Sequence, residues 1–249
     1  INIAPSSGVA ADGRLLYQGP RPNPNFNLIV QAESTARGMY NAMTLSAKRR
    51  WSGGSQWYNR GLQYQAFYTY AHTKDDDSNE RKFQDIFYQD WQNLGAEYTW
   101  SNTDIRHNFV MNATWAFAGD VQAGFIFNTR SGAPYSRLSS TDLNGDGAAN
   151  ANDRQFLNGV DTGRNAYRQP TYSRLDLRIN KTIRLGQPTL ELALDLFNAL
   201  NADNKFVSGP TSNSTTTGNQ LFPNNPNVGV PDSILGTPLT AQLSARVRF

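Results

Sequence analysis

The residues best suited to chemistry lie in one short segment, 142–153. Gly147 stands at its sixth position, where a calcium loop turns sharply, and Ala148 at the seventh would offer a backbone carbonyl. Oxygen-bearing side chains occupy positions 1, 3, 5, 9 and 12, at Asp142, Asn144, Asp146, Asn150 and Asp153. Because Ca²⁺ takes six to eight oxygen ligands, the spacing predicts a calcium site that stiffens a loop. The alternative is a polar turn whose side chains bond their own backbone.

Other reactive side chains are sparse. The only histidines, His72 and His107, are far apart in sequence, and no Ser-His-Asp order, phosphate-binding loop or HExxH motif occurs. A strand-end histidine with an ordinary hydrogen bond is the favoured interpretation, so the chain is not expected to be an enzyme. An acidic run at 75–77, continued by Asp85 and Asp90, could hold a second cation, but a solvated loop is favoured.

The composition excludes several classes of protein. The chain of 249 residues has a net charge of +3 with scattered basic residues, so no nucleic-acid partner is expected. Without cysteine, a disulfide framework and a Cys-ligated metal are excluded. No run approaches the roughly 18 apolar residues of a membrane helix. A transmembrane β-barrel stays possible, because its strands alternate lumen-facing and lipid-facing residues and carry aromatic girdles; aromatic residues make up 12% of the chain.

The last residues show the clearest strand pattern. On one face lie Leu239, Ala241, Leu243, Ala245, Val247 and Phe249, and on the other Thr240, Gln242, Ser244, Arg246 and Arg248. The length suits the roughly 9–11 residues with which a tilted strand crosses a bilayer. We expect Arg246 and Arg248 to face a lumen, where they meet an anionic substrate or a plug, or water near the periplasmic rim.

Six further segments alternate in the same way, at 27–34, 40–50, 62–73, 105–117, 121–131 and 173–185, and a seventh follows at 189–198. The connections alternate between long loops and tight turns. The long loops are at 74–104, 132–172 and 199–237, and the tight turns are at 119–120 and 186–188. This asymmetry is typical of outer-membrane barrels, whereas such long loops argue against a soluble sandwich. The sequence therefore predicts an all-β, antiparallel transmembrane barrel with long external loops and short periplasmic turns.

The chain is expected to comprise two parts. Residues 1–26, with four prolines, are interpreted as a loop or incoming segment, and residues 27–249 as about seven or eight C-terminal strands of a barrel. The start lacks the basic and apolar regions of a signal peptide. A leader already removed and a longer precursor are both open, and the precursor is favoured.

Tryptophans and a tyrosine cluster near expected strand ends and loops, at Trp51, Trp57, Tyr58, Trp91, Trp100 and Trp115. Aromatic side chains of this kind anchor barrels at the membrane interfaces. Carbohydrate stacking by Trp91 or Trp100 in an external loop is the alternative.

An ordered set of short motifs resembles the C-terminal barrel region of Oar-like TonB-dependent receptors. The motifs are Tyr40-Asn-Ala-Met43 running into Lys48-Arg-Arg50, Tyr68-Thr-Tyr-Ala71, Asp104-Ile-Arg-His-Asn-Phe109, Ser131-Gly-Ala-Pro-Tyr135, Asp142-Leu-Asn-Gly-Asp-Gly147, Asn152-Asp-Arg154, Gly163-Arg-Asn165, Arg174-Leu-Asp-Leu-Arg178 and Leu196-Phe-Asn-Ala-Leu-Asn201. Their order runs from about residue 25 to the end.

The resemblance implies a 22-strand barrel in the bacterial outer membrane, with this chain supplying about its last third. Such receptors move a substrate with energy that TonB delivers to an N-terminal plug domain. The implied partners are outer-membrane lipid, the rest of the receptor with its plug, TonB, and the barrel assembly machinery, whose recognition signal Phe249 resembles. A structural or adhesive surface protein with calcium-stiffened loops, and a soluble secreted β-domain with a dockerin-like calcium loop, are the alternatives.

Overall fold

A computed structural model describes residues 2–26, 29, 33–78, 88–139, 141–149, 152–208, 221–222 and 229–249. The helical content of these ranges is one 3₁₀ turn, Leu94–Glu97. No helical segment within them has the length and apolarity that a bilayer crossing requires. The all-β prediction is therefore confirmed for the part of the chain that the structure describes.

Seven long strands form one antiparallel sheet. In chain order they are β1 (Gly38–Ser52), β2 (Gly61–Asp75), β3 (His107–Phe117), β4 (Val121–Arg130), β5 (Tyr172–Arg184), β6 (Thr189–Phe197) and β7 (Thr240–Arg248). Each strand pairs with the next one along the chain, from β1 to β7, and the two-residue strand Thr99–Trp100 adds to β2. The predicted strand at 27–34 falls largely outside the described residues.

The strand register aligns apolar residues from β7 to β2. One row contains Leu243, Leu194, Ile179, Ala123, Trp115 and Leu62, each opposite the next on the neighbouring strand. The adjacent row contains Gln242, Asp195, Arg178, Gly124, Thr114 and Gln63. Because successive residues of a strand point to opposite sides, the sheet has one apolar face and one polar face.

The connections differ sharply between the two ends of the sheet. Residues 53–60, 118–120 and 185–188 join strands at one end, and the turn at Gly119 and Asp120 has positive φ angles of 74° and 55°. At the opposite end the connections 76–106, 131–171 and 198–239 are long. Strands β1 and β7 pair with one neighbour each and not with each other, so the described strands form an open sheet.

Short two-residue ladders form within the N-terminal segment and the long connections, and one of them joins the connections 131–171 and 198–239. The antiparallel pairs are Gly8–Val9 with Leu15–Leu16, Pro134–Tyr135 with Tyr167–Arg168, Phe156–Leu157 with Val160–Asp161 and Lys205–Phe206 with Ser233–Ile234; Leu138–Ser139 and Leu221–Phe222 run parallel. The buried charged side chains lie among these connections, not within the sheet. Apart from Ala71, Ala116 and Ala193 in the strands, the buried apolar side chains of the described residues also lie in the N-terminal segment and the long connections. We call this layer at one end of the strands the loop layer.

Candidate functional site

None of the described segments covers the apolar face of the sheet. Leu243 is 82% exposed, and Ile179 and Trp115 are also exposed large apolar residues. A recess of about 410 Å³ on this face is lined by side chains that include Tyr64, Trp115 and Phe125. Soluble proteins rarely expose a contiguous apolar surface of this extent, whereas a transmembrane strand turns such a face to lipid.

Aromatic side chains gather near both ends of the strands. Near the short turns, the rings of Trp115 and Phe117 stack with 5.2 Å between centroids, and those of Trp57 and Tyr58 meet edge to face at 5.6 Å. The Trp51 ring also lies at this end, where it packs so closely on Gly61 that a side chain at that position would clash with it. Trp100 lies at the opposite end, and Trp91 lies in the connection 76–106. The positions at the strand ends are those that interfacial anchoring requires, whereas Trp91 lies within a connection.

Both histidines belong to the aromatic group at the long-connection end. His107 Nδ1 and the Tyr68 hydroxyl are 2.8 Å apart, and His72 Nε2 and the Tyr70 hydroxyl are 2.6 Å apart. The rings of Tyr70 and His107 lie 5.2 Å apart. Each histidine is therefore hydrogen-bonded to a tyrosine at a strand end.

The polar face carries charged pairs. Arg178 donates to Asp195 at 3.2 Å across β5 and β6, and Arg248 donates to Glu191 at 3.1 Å across β7 and β6. Arg246 stands opposite Glu191 in the register and is exposed. The structure thus places Arg246 and Arg248 on the polar face; that this face lines a lumen stays a prediction.

Three arginines of the connection 131–171 hold the loop layer together. Arg154 binds both carboxylate oxygens of Glu97 at 2.8 Å and also Asp161 at 2.8 Å. Two further pairs join Arg164 to Asp75 at 2.6 Å and Arg168 to the buried Asp104. Each arginine therefore reaches a carboxylate in β2 or in the connection that follows it, so two long connections are locked to each other.

Arg154 is the most enclosed of these cations. Its side chain and that of Glu97 are 3% and 2% exposed. Burial alone would lower the pKa of Arg154, but hydrogen bonds and charge from Glu97 and Asp161 raise it above its ordinary value. The cluster also reaches the N-terminal segment, because Arg14 donates to the Arg154 carbonyl at 3.2 Å and lies over the Phe156 ring.

The acidic run at 75–77 is not a solvated loop. Asp75 is bound by Arg164, and the carboxylate of Asp76 accepts two hydrogen bonds at 2.9 Å from the Arg37 backbone N–H. The solvated interpretation is wrong for these two residues, because neighbouring segments bring arginines to them. Asp90 accepts a hydrogen bond from the Gln92 N–H at 2.9 Å, and Asp85 lies outside the described residues.

The predicted calcium segment forms a compact polar turn against the loop layer. Asp142 is exposed and accepts backbone N–H bonds from Gly145 at 2.7 Å and Gly147 at 2.8 Å. Asn144 and Asp153 are fully buried, and Asp153 accepts from the backbone N–H of Leu143 at 2.8 Å. These are bonds that the polar-turn alternative predicts.

The remaining candidate ligands complete the same turn. Asp146 accepts from the Ala148 N–H at 3.0 Å and from the Asn152 amide at 2.9 Å, and Asn150 lies outside the described residues. Within the described ranges no group of three or more His, Cys, Asp or Glu side chains is arranged to hold a metal ion. Calcium binding therefore stays a prediction.

Phe249 is fully exposed beyond the end of β7, and its role as an assembly signal stays a prediction. The residues that sequence reasoning missed are the paired arginines Arg154, Arg164 and Arg168. The available signal is that the connection 131–171 contains four arginines and the long connection before it contains unassigned carboxylates. These connections have no periodic pattern, so the sequence does not indicate which arginine pairs with which carboxylate.

Comparison with known proteins adds one finding. A family model described as an outer membrane beta barrel domain matches residues 1–161, which include β1 to β4 and most of the next connection. No curated protein matches the chain, and no solved structure does.

Proposed function

Because the chain belongs to the outer membrane beta barrel domain family, we propose that its sheet forms part of the wall of a TonB-dependent receptor in the bacterial outer membrane. The two faces of the sheet support this role. The apolar face has no protein cover among the described residues and suits lipid, and the polar face suits an aqueous lumen. The proposed activity is transport, without a catalytic step in this chain.

One observation carries the proposal: charged pairs line the face opposite the apolar one. In a lumen, Arg178 and Asp195 neutralise each other across the strands, while Arg246 remains exposed to a substrate or to a plug domain. A polar interior is common to transmembrane barrels, so coupling to TonB is the property that separates a receptor from an adhesive barrel. Further strands and the plug would complete the receptor, in keeping with the family resemblance of the ordered motifs.

The proposed orientation puts the loop layer outside the cell. Long connections lie at the external end of outer-membrane barrels and tight turns at the periplasmic end. The ion pairs of Arg154, Arg164 and Arg168 would then give the external surface a fixed shape against which a substrate can dock.

Orientation is tested by placing an epitope tag in one of two connections. A tag in 198–239 should be stained by antibody on intact cells. A tag in 185–188 is the matched control and should be stained only after the outer membrane is permeabilised. Staining of the 185–188 tag on intact cells would reverse the orientation.

The receptor role is tested by chemical cross-linking of the tagged protein in living cells. We expect a cross-linked product with TonB that disappears when the TonB gene is deleted. A second TonB-dependent receptor of the same cells serves as the positive control. The adhesive alternative is correct if the control receptor cross-links to TonB, this protein does not, and deletion of this protein lowers attachment between cells.

A further inference from the structure

Positive charge and aromatic rings meet where β2 and β3 reach the long connections. Lys74 Nζ lies 4.6 Å from the centroid of the Trp100 ring, and Arg106 Cζ lies 4.5 Å from it. The His72 ring is 5.4 Å from the same indole, and Tyr70 packs edge to face on His72 at 4.7 Å. We call Tyr70, His72, Lys74, Trp100 and Arg106 the rim cluster.

The rim cluster continues the apolar face. Lys74 stands opposite both Met39 and Trp100, and Tyr70 stands opposite Met43, so their side chains emerge on the side that carries Leu62. From Leu62 to Lys74 the strand advances about 40 Å at about 3.4 Å per residue. At a tilt of about 45° this is about 28 Å along the membrane normal, close to the height of about 25 Å of a barrel's apolar band. The cluster therefore lies at the level of lipid headgroups when Leu62 lies near the opposite interface.

The two cations of the rim cluster lack a dedicated counter-ion among the described residues. Lys74 forms no ion pair there, and the nearest carboxylate to Arg106 is that of Asp104, 3.5 Å from Nε. Asp104 is already engaged by Arg168 and by the Thr73 N–H at 2.7 Å. Arg164 and Arg168, by contrast, are held by Asp75 and Asp104 within the loop layer.

We propose that the rim cluster binds the phosphate group of an anionic membrane lipid. Arginine and lysine are the side chains that recognise phosphate, and Trp100 fixes both cations in place through cation–π contacts. Indole and phenol rings prefer this depth of the membrane. The cations of the rim cluster complement a phosphate, and the cluster continues the apolar face, so a lipid headgroup is favoured over a soluble anion. The proposal uses only the membrane orientation of the proposed function, not its dependence on TonB.

The test uses the whole protein purified in a non-ionic detergent. Quenching of tryptophan fluorescence by brominated phosphatidylglycerol is compared with quenching by brominated phosphatidylcholine of the same acyl chains. We expect the protein to prefer the anionic lipid, and K74A/R106A to lower that preference about tenfold. The matched control is K48A, because Lys48 also lies over an aromatic ring, that of Phe67, but on the polar face. K48A should leave the preference unchanged.

Two further measurements decide the source of the phosphate and guard against misfolding. Inorganic phosphate should not compete with the lipid; equal competition would overturn the proposal in favour of a soluble anion. In the unaltered protein, raising NaCl from about 0.05 to about 0.5 M should weaken the preference, since the Debye length falls severalfold. A preference that survives both salt and K74A/R106A would overturn the proposal, whereas failure of TonB cross-linking would leave it standing.

Discussion

Arg154 and Glu97 form a buried, two-pronged ion pair whose two nitrogen–oxygen distances are both 2.8 Å. The residues belong to different long connections, 57 positions apart in sequence. Asp161 adds a second carboxylate to the same guanidinium. Since isolated charges are very costly to bury, both connections must fold together for either charge to be satisfied.

We expect R154A to loosen the loop layer far more than the sheet. Removing one partner leaves Glu97 buried without its cation, which costs about 3–5 kcal/mol. Faster hydrogen exchange in 88–106 and 152–171, with unchanged exchange in β4 and β5, would report this effect. Arg184 supplies the control, because its pair with Asp120 is 73% and 48% exposed and such pairs contribute about 0–1 kcal/mol. Equal effects of R154A and R184A would contradict the prediction.

A charge placed on adjacent residues of β7 should have opposite consequences. Leu243 lies on the apolar face opposite Leu194, and Ser244 lies on the polar face opposite Ala193. We expect L243R to destabilise the membrane-inserted form by about 2–4 kcal/mol, because an arginine near the bilayer midplane is desolvated. S244R should cost little. The measurement is folding into lipid vesicles, followed by the gel mobility of unheated samples; equal loss with both variants would show that the faces are assigned incorrectly.

The sheet could be predicted because its information is local. Alternation of apolar and polar residues predicts β7 and the hairpin of β3 and β4 to within a few residues of the observed bounds. The start of β3 at His107, two residues later than the predicted 105, has a tertiary cause. Asp104 accepts a hydrogen bond from the Thr73 N–H and pairs with Arg168, and the Arg106 carbonyl accepts one from the Ala71 N–H at 3.0 Å, so the regular pairing with β2 begins only at His107.

The loop layer could not be predicted in the same way. The pairs of Glu97 with Arg154 and of Asp75 with Arg164 join residues 57 and 89 positions apart, and the connection that carries both arginines has no periodicity. Asp75 illustrates the difficulty: within its acidic run it looks solvated, yet Arg164 binds it from a connection that lies two strands further along the chain. Only the folded arrangement of the connections decides which carboxylates meet cations.

Calcium binding is decided by titration of the whole protein. If the segment 142–153 binds calcium, Ca²⁺ should slow protease cleavage within 131–171, and a chelator should restore it. D142A should abolish the calcium effect, because it removes the first predicted ligand. Asp142 is exposed, so its loss leaves the buried Asp153 and Asn144 in place. D120A, in the turn at the opposite end of the sheet, is the control. Cleavage that is indifferent to calcium would leave the polar-turn interpretation as the correct one.

Tyr17 makes the docking of the N-terminal segment sensitive to alkaline pH. Its side chain is 5% exposed, and its hydroxyl donates to the Gln89 carbonyl at 3.0 Å. Burial, assisted by the charges of Asp90 and Asp146, raises the pKa of Tyr17 from 10.0 to about 12. Between pH 10 and about 12, Tyr17 therefore keeps its proton in the docked segment, whereas it has lost the proton in the undocked segment. The resulting stabilisation is fully present below pH 10 and is lost as pH rises to about 12.

The loss should be on the order of 2–3 kcal/mol, since each unit of pKa corresponds to about 1.4 kcal/mol. Ultraviolet absorbance of tyrosinate should show a component titrating near pH 12 that is missing in Y17F. Y17F removes the Gln89 hydrogen bond but cannot ionise, so its segment should stay docked to higher pH than that of the unaltered protein. Tyr58, which is exposed beside Trp57 at the other end of the sheet, provides the control as Y58F. If Y17F and Y58F give the same titration curve, the segment does not bury Tyr17 in solution.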